Sequence, residues 1–219
     1  LPENKFKKFN VDYKYADTLS KKINFKLNKV AIDEKNLNQK DEIINAYKKL
    51  DEPITNFNFF NSFFQSKMAK ENNCKVILTG DGADEIFGGY ERYKKCYIAR
   101  KLSYLSFLNK KISRINSTKN EDLPRYFYNF LNIENNSNVF NRDFFNYLKQ
   151  SDSLKFVLPD SEKKEEVINY FDLKYWIQSE SNFKLDRASM LNSIEARVPF
   201  QDVNFLKNIF PIKMEEKIN

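Results

Sequence analysis

Hydrophobic and polar positions along this chain repeat with two periods, and the places where one gives way to the other mark its elements. From Val11 to Ile23, Tyr15, Leu19 and Ile23 recur at helical spacing, with Asn10 placed to cap, which predicts an amphipathic helix. The run from Phe25 to Ile32 alternates apolar and polar residues, the period of a strand with one buried face. Between Asn36 and Leu50 the residues Leu37, Ile43, Tyr47 and Leu50 share a face, predicting a second helix. Asp51-Glu52-Pro53 closes it, because the residue before a proline is pushed out of the helical region. Phe57 to Lys70 sets Phe60, Phe63, Phe64 and Met68 on one side; no arginine interleaves them, so core packing explains the stripe better than base stacking.

Val76-Ile77-Leu78 is a short apolar run of the kind that forms a parallel strand buried on both faces. Ala83 to Phe87 then reads as the first turn of a helix, with acids where the helix dipole favours them. The order helix, strand, helix, helix, strand, helix predicts an α/β fold with a parallel sheet flanked by helices. From Lys94 to Lys174 the pattern becomes mostly helical. Tyr97, Leu102, Leu105, Leu108, Ile112 and Ile115 are expected to face one bundle core, and Phe127, Phe130 and Leu131 another. The Asn-rich interval Asn132 to Asn141 reads as a loop and Pro159 to Lys164 as a charged turn. Lys184 to Arg197 reads as one helix stopped by Pro199, with Leu191, Ile194 and Val198 on its apolar face. Its dense polar set, Lys184, Asp186, Arg187, Ser189, Glu195 and Arg197, is explained by ion pairs one turn apart.

At 219 residues the chain can bury a real core, as one or two domains. Residues 1–93 are expected to form an α/β nucleotide-binding part and residues 94–219 a mainly helical part. No stretch is apolar enough to span a membrane and the start lacks a signal peptide's apolar core, so the expected location is the cytoplasm. Cys74 and Cys96 are too few and too differently placed for a disulfide framework or a metal site; reduced, buried thiols are expected. There is no histidine, which excludes the usual Ser-His and Cys-His nucleophilic machinery and argues against zinc. The formal charge of +7 is spread over lysines scattered among Asn and Glu, in no run longer than a pair. It is read as solubility, with no nucleic-acid partner.

One stretch departs from this composition. All four glycines, Gly80, Gly82, Gly88 and Gly89, fall within Cys74 to Tyr93, CKVILTGDGADEIFGGYERY. Strand, glycine turn, helix is the arrangement that places a ligand site at the carboxyl end of a strand in open α/β sheets. The turn carries two carboxylates, Asp81 and Asp84. A phosphate cradle of backbone amides needs no acids, and unscreened acids would repel it, so acids here imply a bridging cation, for which magnesium is the natural choice. Taken singly, Asp81 is explained as a turn former and Asp84 as a helix cap. The whole run, with Gly on both sides of Asp81 and a Gly pair after it, is not.

Two motifs then resemble a known family. TGDGADEIFGGYERY resembles the LSGDGADELFGGYxRY signature of glutamine-hydrolysing asparagine synthetases, and KLDRASMLNSIEARVPFQD resembles their KVDRASMAxSLEARVPFLD signature. Leu50-Asp51-Glu52-Pro53 resembles the LDEP segment that precedes the first. The likeness reaches from about Val11 to Pro211. It implies part of a synthetase domain of the ATP-pyrophosphatase type, with an adenine nucleotide alpha hydrolase-like fold, acting with ATP and Mg2+. That activity activates aspartate as β-aspartyl-AMP, releases pyrophosphate and lets ammonia from glutamine displace AMP. Carried over by position, Thr79, Gly80 and Gly82 would line the ATP site, Asp81 would occupy the acidic position needed for the acyl-adenylate, and Asp84 would hold magnesium.

The family's SGGxDS pyrophosphate loop, its amino-terminal glutaminase domain and its late GKxxLR-like lysine region are not in this sequence. An interior fragment, inactive by itself, of a parent expected to be a homodimer is what the resemblance implies. Asn56 stands where relatives often carry Asp, and Gln201 where they carry Leu. Two alternatives stay open: a relative acting on another carboxylate, in a sugar, a peptide or a β-lactam precursor, and an inactive binding module. An acid at Asp81 favours ordinary asparagine synthesis over the ring-closing relatives.

Overall fold

The chain is seen in a computed structural model that describes residues 11–29, 37–54, 56–128, 131, 141–151 and 155–218. Its contacts divide it into two compact units: residues 1–77 with 184–197, and residues 78–183 with 198–219. This division follows contacts, whereas the expected boundary near Tyr93 follows secondary-structure content.

The first unit holds α1 (Val11–Lys22), α2 (Leu37–Tyr47), α3 (Asn58–Glu71), most of β1 (Val76–Leu78), nearly all of α10 (Phe183–Met190) and β2 (Glu195–Arg197). Its core is aromatic. Phe59, Phe63 and Phe64 of α3 are buried, with the Phe59 and Phe63 rings stacked 6.3 Å apart and Tyr47 tilted 5.5 Å from Phe59. The stripe on α3 is therefore core, as its spacing suggests, rotated one position to include Phe59. Asn56, the position where relatives often carry Asp, accepts from the Asn58 N–H at 2.9 Å and so ties down the start of α3. The helical face expected of α1 is not buried: Tyr15, Leu19 and Ile23 are all exposed. No strand forms over residues 25–29, and residues 30–32 of that expected strand lie outside the described residues, as do Asn10, Phe130 and the loop 132–140.

β1 pairs with β2 in a two-stranded parallel sheet, the Glu195 N–H reaching the Lys75 carbonyl at 2.9 Å. Two expectations need correcting here. β1 is not buried on both faces, since Val76 is 40% and Leu78 71% exposed: one partner strand pairs along an edge and leaves both side chains open to solvent. Nor is Lys184 to Arg197 one helix. α10 ends at Met190, a turn over residues 191–193 brings Ser193 to a φ of 59°, and β2 follows. Leu191, Ile194 and Val198 fit a helical face, but Ile194 to Val198 also alternates, and the alternation wins. Ile194 is buried, Glu195 and Arg197 are exposed, and pairing with β1 satisfies backbone groups that a longer helix would have kept to itself. Asn192 fixes the turn, donating to the Phe63 carbonyl at 3.0 Å and to Ser66 Oγ at 2.9 Å.

The second unit is helical: α4 (Ala83–Phe87), α5 (Glu91–Lys101), α6 (Lys110–Ser117), α7 (Leu123–Phe127), α8 (Arg142–Ser151), α9 (Lys164–Phe171), α11 (Val203–Ile209) and α12 (Met214–Lys217). An eleven-residue π-helix, Asp172–Asn182, continues α9. The core gathers Tyr93, Cys96 and Ala99 from α5, Ile115 from α6, Leu123 from α7, and Val167, Ile168 and Phe171 from α9. Of the expected bundle face, Ile115 is buried and Tyr97 and Ile112 pack against the core, whereas Leu108 is exposed. The reason is a break: Asn109 caps α6 through the Lys111 and Ile112 N–H groups, so the register of α5 is not carried across. Among the described residues after 94, most elements are helical. Among the described residues no helix is long and apolar enough to cross a membrane.

Candidate functional site

The turn after β1 is built by its glycines. Thr79 and Gly80 leave the strand, Gly82 stands at the N-cap of α4 with a φ of 94°, and Gly88 ends that helix with a φ of 73°. The Ala83 N–H closes back on the Gly80 carbonyl at 3.1 Å and the Gly89 N–H on the Asp84 carbonyl at 2.8 Å. Only glycine takes the left-handed conformation at residue 82 without strain. The N-cap position has no side chain, so neither aspartate occupies it, and a helix-cap role does not account for Asp84.

Asp81 is oriented from outside the turn. Ser181 Oγ donates to its Oδ1 at 2.9 Å, and Gln201 Nε2 donates to its backbone carbonyl at 3.3 Å. Gln201 is held in turn by Asn182, at 2.8 and 3.0 Å, and it packs so close to residue 82 that an added Cβ would lie 2.9 Å from its Cγ. The position that departs from the family pattern thus buttresses the glycine turn. Asp84 is exposed, and its carboxylate lies over Gly89, where a Cβ would come within 2.1 Å of Oδ1. Beside it, Glu85 is buried, takes a hydrogen bond from the Tyr90 hydroxyl at 3.0 Å, and has its carboxyl pushed above the usual range chiefly by burial. The Asn169 amide donates to the Glu85 carbonyl at 2.5 Å, tying α4 to α9.

Two features of the turn fit a nucleotide with its metal. The Thr79 hydroxyl is buried and has no hydrogen-bond partner, which costs free energy unless something outside the chain meets it. At Gly80 an added Cβ would meet nothing within 4 Å, so there is open space against the backbone at that point. Among the described residues no three acidic or thiol side chains converge on one point. A magnesium ion there would rest on one or two carboxylates and on its substrate, as that ion commonly does. Spacing and composition pointed to Gly80, Asp81, Gly82 and Asp84, and the family resemblance added Thr79. They did not point to Ser181, Asn182 or Gln201, which lie about 100 and 120 residues on and carry only a departure at Gln201 as a signal.

The second motif lies in the first unit. Lys184 and Ser189 are buried, and Ser189 Oγ donates to the Asp186 carbonyl at 3.2 Å. Arg187 pairs with Asp51 of the Leu50-Asp51-Glu52-Pro53 segment at 3.4 Å and with Asp186 at 3.1 Å, and Arg197 pairs with Glu195 at 2.8 Å. None of these is the one-turn helical pairing expected, because β2 replaces the second half of the helix. Cys96 is buried, as expected, but Cys74 is exposed.

Comparison with known proteins gives one family. The asparagine synthase family matches residues 4–219. A Bacillus subtilis protein named asparagine synthetase [glutamine-hydrolyzing] 1 is 26% identical over 194 residues, 80% of this chain and 30% of its own length. A Mycobacterium bovis protein, named provisionally as a glutamine-hydrolysing asparagine synthetase, is 28% identical over 174 residues, 70% of this chain and 26% of its own. One of Methanocaldococcus jannaschii, named in the same way, is 35% identical over 99 residues, 41% of this chain and 16% of its own. The chain therefore spans under a third of the length of these relatives. No solved structure matches it. With a family match running almost from end to end and including the glycine turn with its two aspartates, the chain belongs to the asparagine synthase family.

Proposed function

We propose that the chain is part of an ATP-dependent, cytoplasmic ligase that activates the side-chain carboxylate of aspartate as an adenylate and passes it to ammonia drawn from glutamine, giving asparagine, AMP and pyrophosphate. The observation that carries this reading is the turn itself: a buried, unpartnered Thr79 hydroxyl and open space at Gly80, directly followed by Asp81 and Asp84. Attack of a carboxylate on a phosphate brings two anions together, so the site has to supply charge and position more than a nucleophile. The absence of histidine is consistent with that chemistry. A magnesium ion bound at the turn supplies positive charge that screens carboxylate from phosphate.

The residues of the chain do the rest. Thr79 offers a hydroxyl donor that no protein group uses, and Gly80 lets a ligand approach the main chain. Gly82 makes the bend. Asp84 would hold the metal, from the exposed first turn of α4. Asp81, fixed by Ser181 and by Gln201, presents a carboxylate whose direction does not depend on the ligand. The test is made in the full-length parent protein. Asp84→Asn is expected to abolish aspartate-dependent exchange of labelled pyrophosphate into ATP while leaving glutamine hydrolysis intact; surviving exchange would remove the metal role. Asp81→Ala is expected to slow adenylate formation more than it weakens ATP binding, and equal losses would reduce Asp81 to a structural turn residue. Exchange that ignores aspartate but responds to another carboxylic acid would keep the chemistry and change the acceptor.

A further inference from the structure

The second unit contains a groove that the reading above does not use. It has a volume of about 1070 Å³ and lies among α5, α6, α7 and the segment that joins the last two. Six cationic side chains line it, Lys95, Lys110, Lys111, Arg114, Lys119 and Arg125, against one carboxylate, Asp122. Arg125 lies 3.8 Å from Asp122, and Lys119 lies 3.8 Å from Glu121, an exposed side chain outside the groove lining. In the sequence these cations are scattered over more than thirty positions; the fold brings them to one cavity.

α6 bears a local cost for this arrangement. Lys110 and Lys111 occupy its first turn, where the helix dipole disfavours cations, and there is no acidic residue in that turn. Arg114 follows at three and four residues' distance on the same surface, so like charges face each other. All three side chains are exposed, and the helix turns Ile115 inward to the core instead. Departures from local rules such as the two lysines in this first turn are found at functional sites. The free N–H groups of α6 are not the attraction, because Asn109 already accepts from two of them.

We propose that this groove binds a small polyphosphate anion, one carrying several closely spaced phosphates. The volume lies just above the range for small-molecule sites, roughly 300–1000 Å³, and far exceeds what one phosphate would fill. A nucleic-acid strand is the weaker fit. Strand-binding surfaces spread their cations along a track and offer free aromatic faces for successive bases. Here the cations surround one cavity, the Arg114 guanidinium lies 5.3 Å from the centre of the Tyr126 ring, and Phe127 meets Tyr126 edge-on at 4.9 Å.

The test is calorimetric titration of the chain with inorganic tripolyphosphate at low ionic strength, where screening is weakest. Saturable binding is expected. Lys111→Glu with Arg114→Glu should weaken it by roughly tenfold or more, and the neutral pair Lys111→Gln with Arg114→Gln should fall between that and the parent. A charge-matched control on exposed residues of the other unit, Lys48→Glu with Lys49→Glu, should change affinity by less than about twofold. Absence of saturable binding, or equal losses in the groove and control variants, overturns the proposal. So does the case in which a short single-stranded oligonucleotide binds in a groove-dependent way and tripolyphosphate does not, which would make the groove a nucleic-acid surface.

Discussion

Gly82 and Gly89 are both glycine, for reasons that differ in kind. At residue 82 the backbone itself is left-handed, and an added Cβ would also press on Gln201. Gly82→Ala should therefore cost about 1–2 kcal/mol of stability, read as a shift in the urea midpoint. At residue 89 an added Cβ would come within 2.1 Å of the Asp84 carboxylate, which can turn aside, and within 3.3 Å of the Asp84 Cα, which must give by a few tenths of an ångström. Gly89→Ala should lower the urea midpoint less than Gly82→Ala does while moving Asp84, so in the full-length parent it should lower pyrophosphate exchange. A large stability loss at residue 89, with exchange retained, would show that Asp84 is not placed by that close approach.

The two cysteines make a second test at this scale. Burial, with Glu165 nearby, pushes the Cys96 thiol up to about 12, from an ordinary value of 9.0. Its raised value in the folded state means that the unfolded chain gives up this proton first. The stability it represents is whole below about pH 9 and is lost as pH rises towards 12, by about 1.4 kcal/mol per pH unit at most. Cys96→Ala should flatten the alkaline limb of the stability profile. In the native chain at neutral pH, iodoacetamide should label the exposed Cys74 and leave Cys96 unmodified until the chain unfolds.

Among the elements, the π-helix after α9 shows most clearly what a motif reading leaves out. Asp172, its first residue, is fully buried. It accepts from the Tyr93 and Tyr128 hydroxyls and from Arg92 Nε at 2.7 Å, the Tyr128 bond being 2.5 Å. Arg92 and Tyr93 belong to the GGYERY end of the glycine motif, so this one carboxylate anchors the helix that follows the turn. Nine and ten residues further on, the same element delivers Ser181 and Asn182 to Asp81 and Gln201. Removing the acid leaves a mostly buried guanidinium without its partner. Asp172→Ala should cost about 3–5 kcal/mol in urea unfolding, whereas Tyr128→Phe, which leaves the other two donors, should cost about 1 kcal/mol. A loss below 1 kcal/mol for Asp172→Ala would mean that water relieves the site and the network is not an anchor.

Over the whole molecule, what could be read from the sequence depended on how local the cause was. The glycine turn was legible because a left-handed backbone and a close approach each demand one residue type at one position, and both demands fall within ten residues of each other. α3 was legible because its aromatic stripe has a single period. Residues 194–198 were not, because Ile194, Ala196 and Val198 satisfy a strand period while Leu191, Ile194 and Val198 satisfy a helical one. Only the edge of β1 chose between them. The exposed face of α1 shows the converse: amphipathic spacing determines that a helix has an apolar side, not that anything described here covers it.

The sequence by itself determined the strand, glycine bend and helix around Asp81 and Asp84, and with them the family. The elements follow from steric limits on the backbone and from the charge chemistry of neighbouring residues; the family follows from the likeness of the two motifs. Only the tertiary structure decided that Ser181 and Gln201 hold Asp81, that Asp172 anchors the helix behind it, and that scattered lysines and arginines share one groove. Those relations join residues about thirty to a hundred and twenty positions apart, and a contact made by folding leaves no period along the chain for a reader to find.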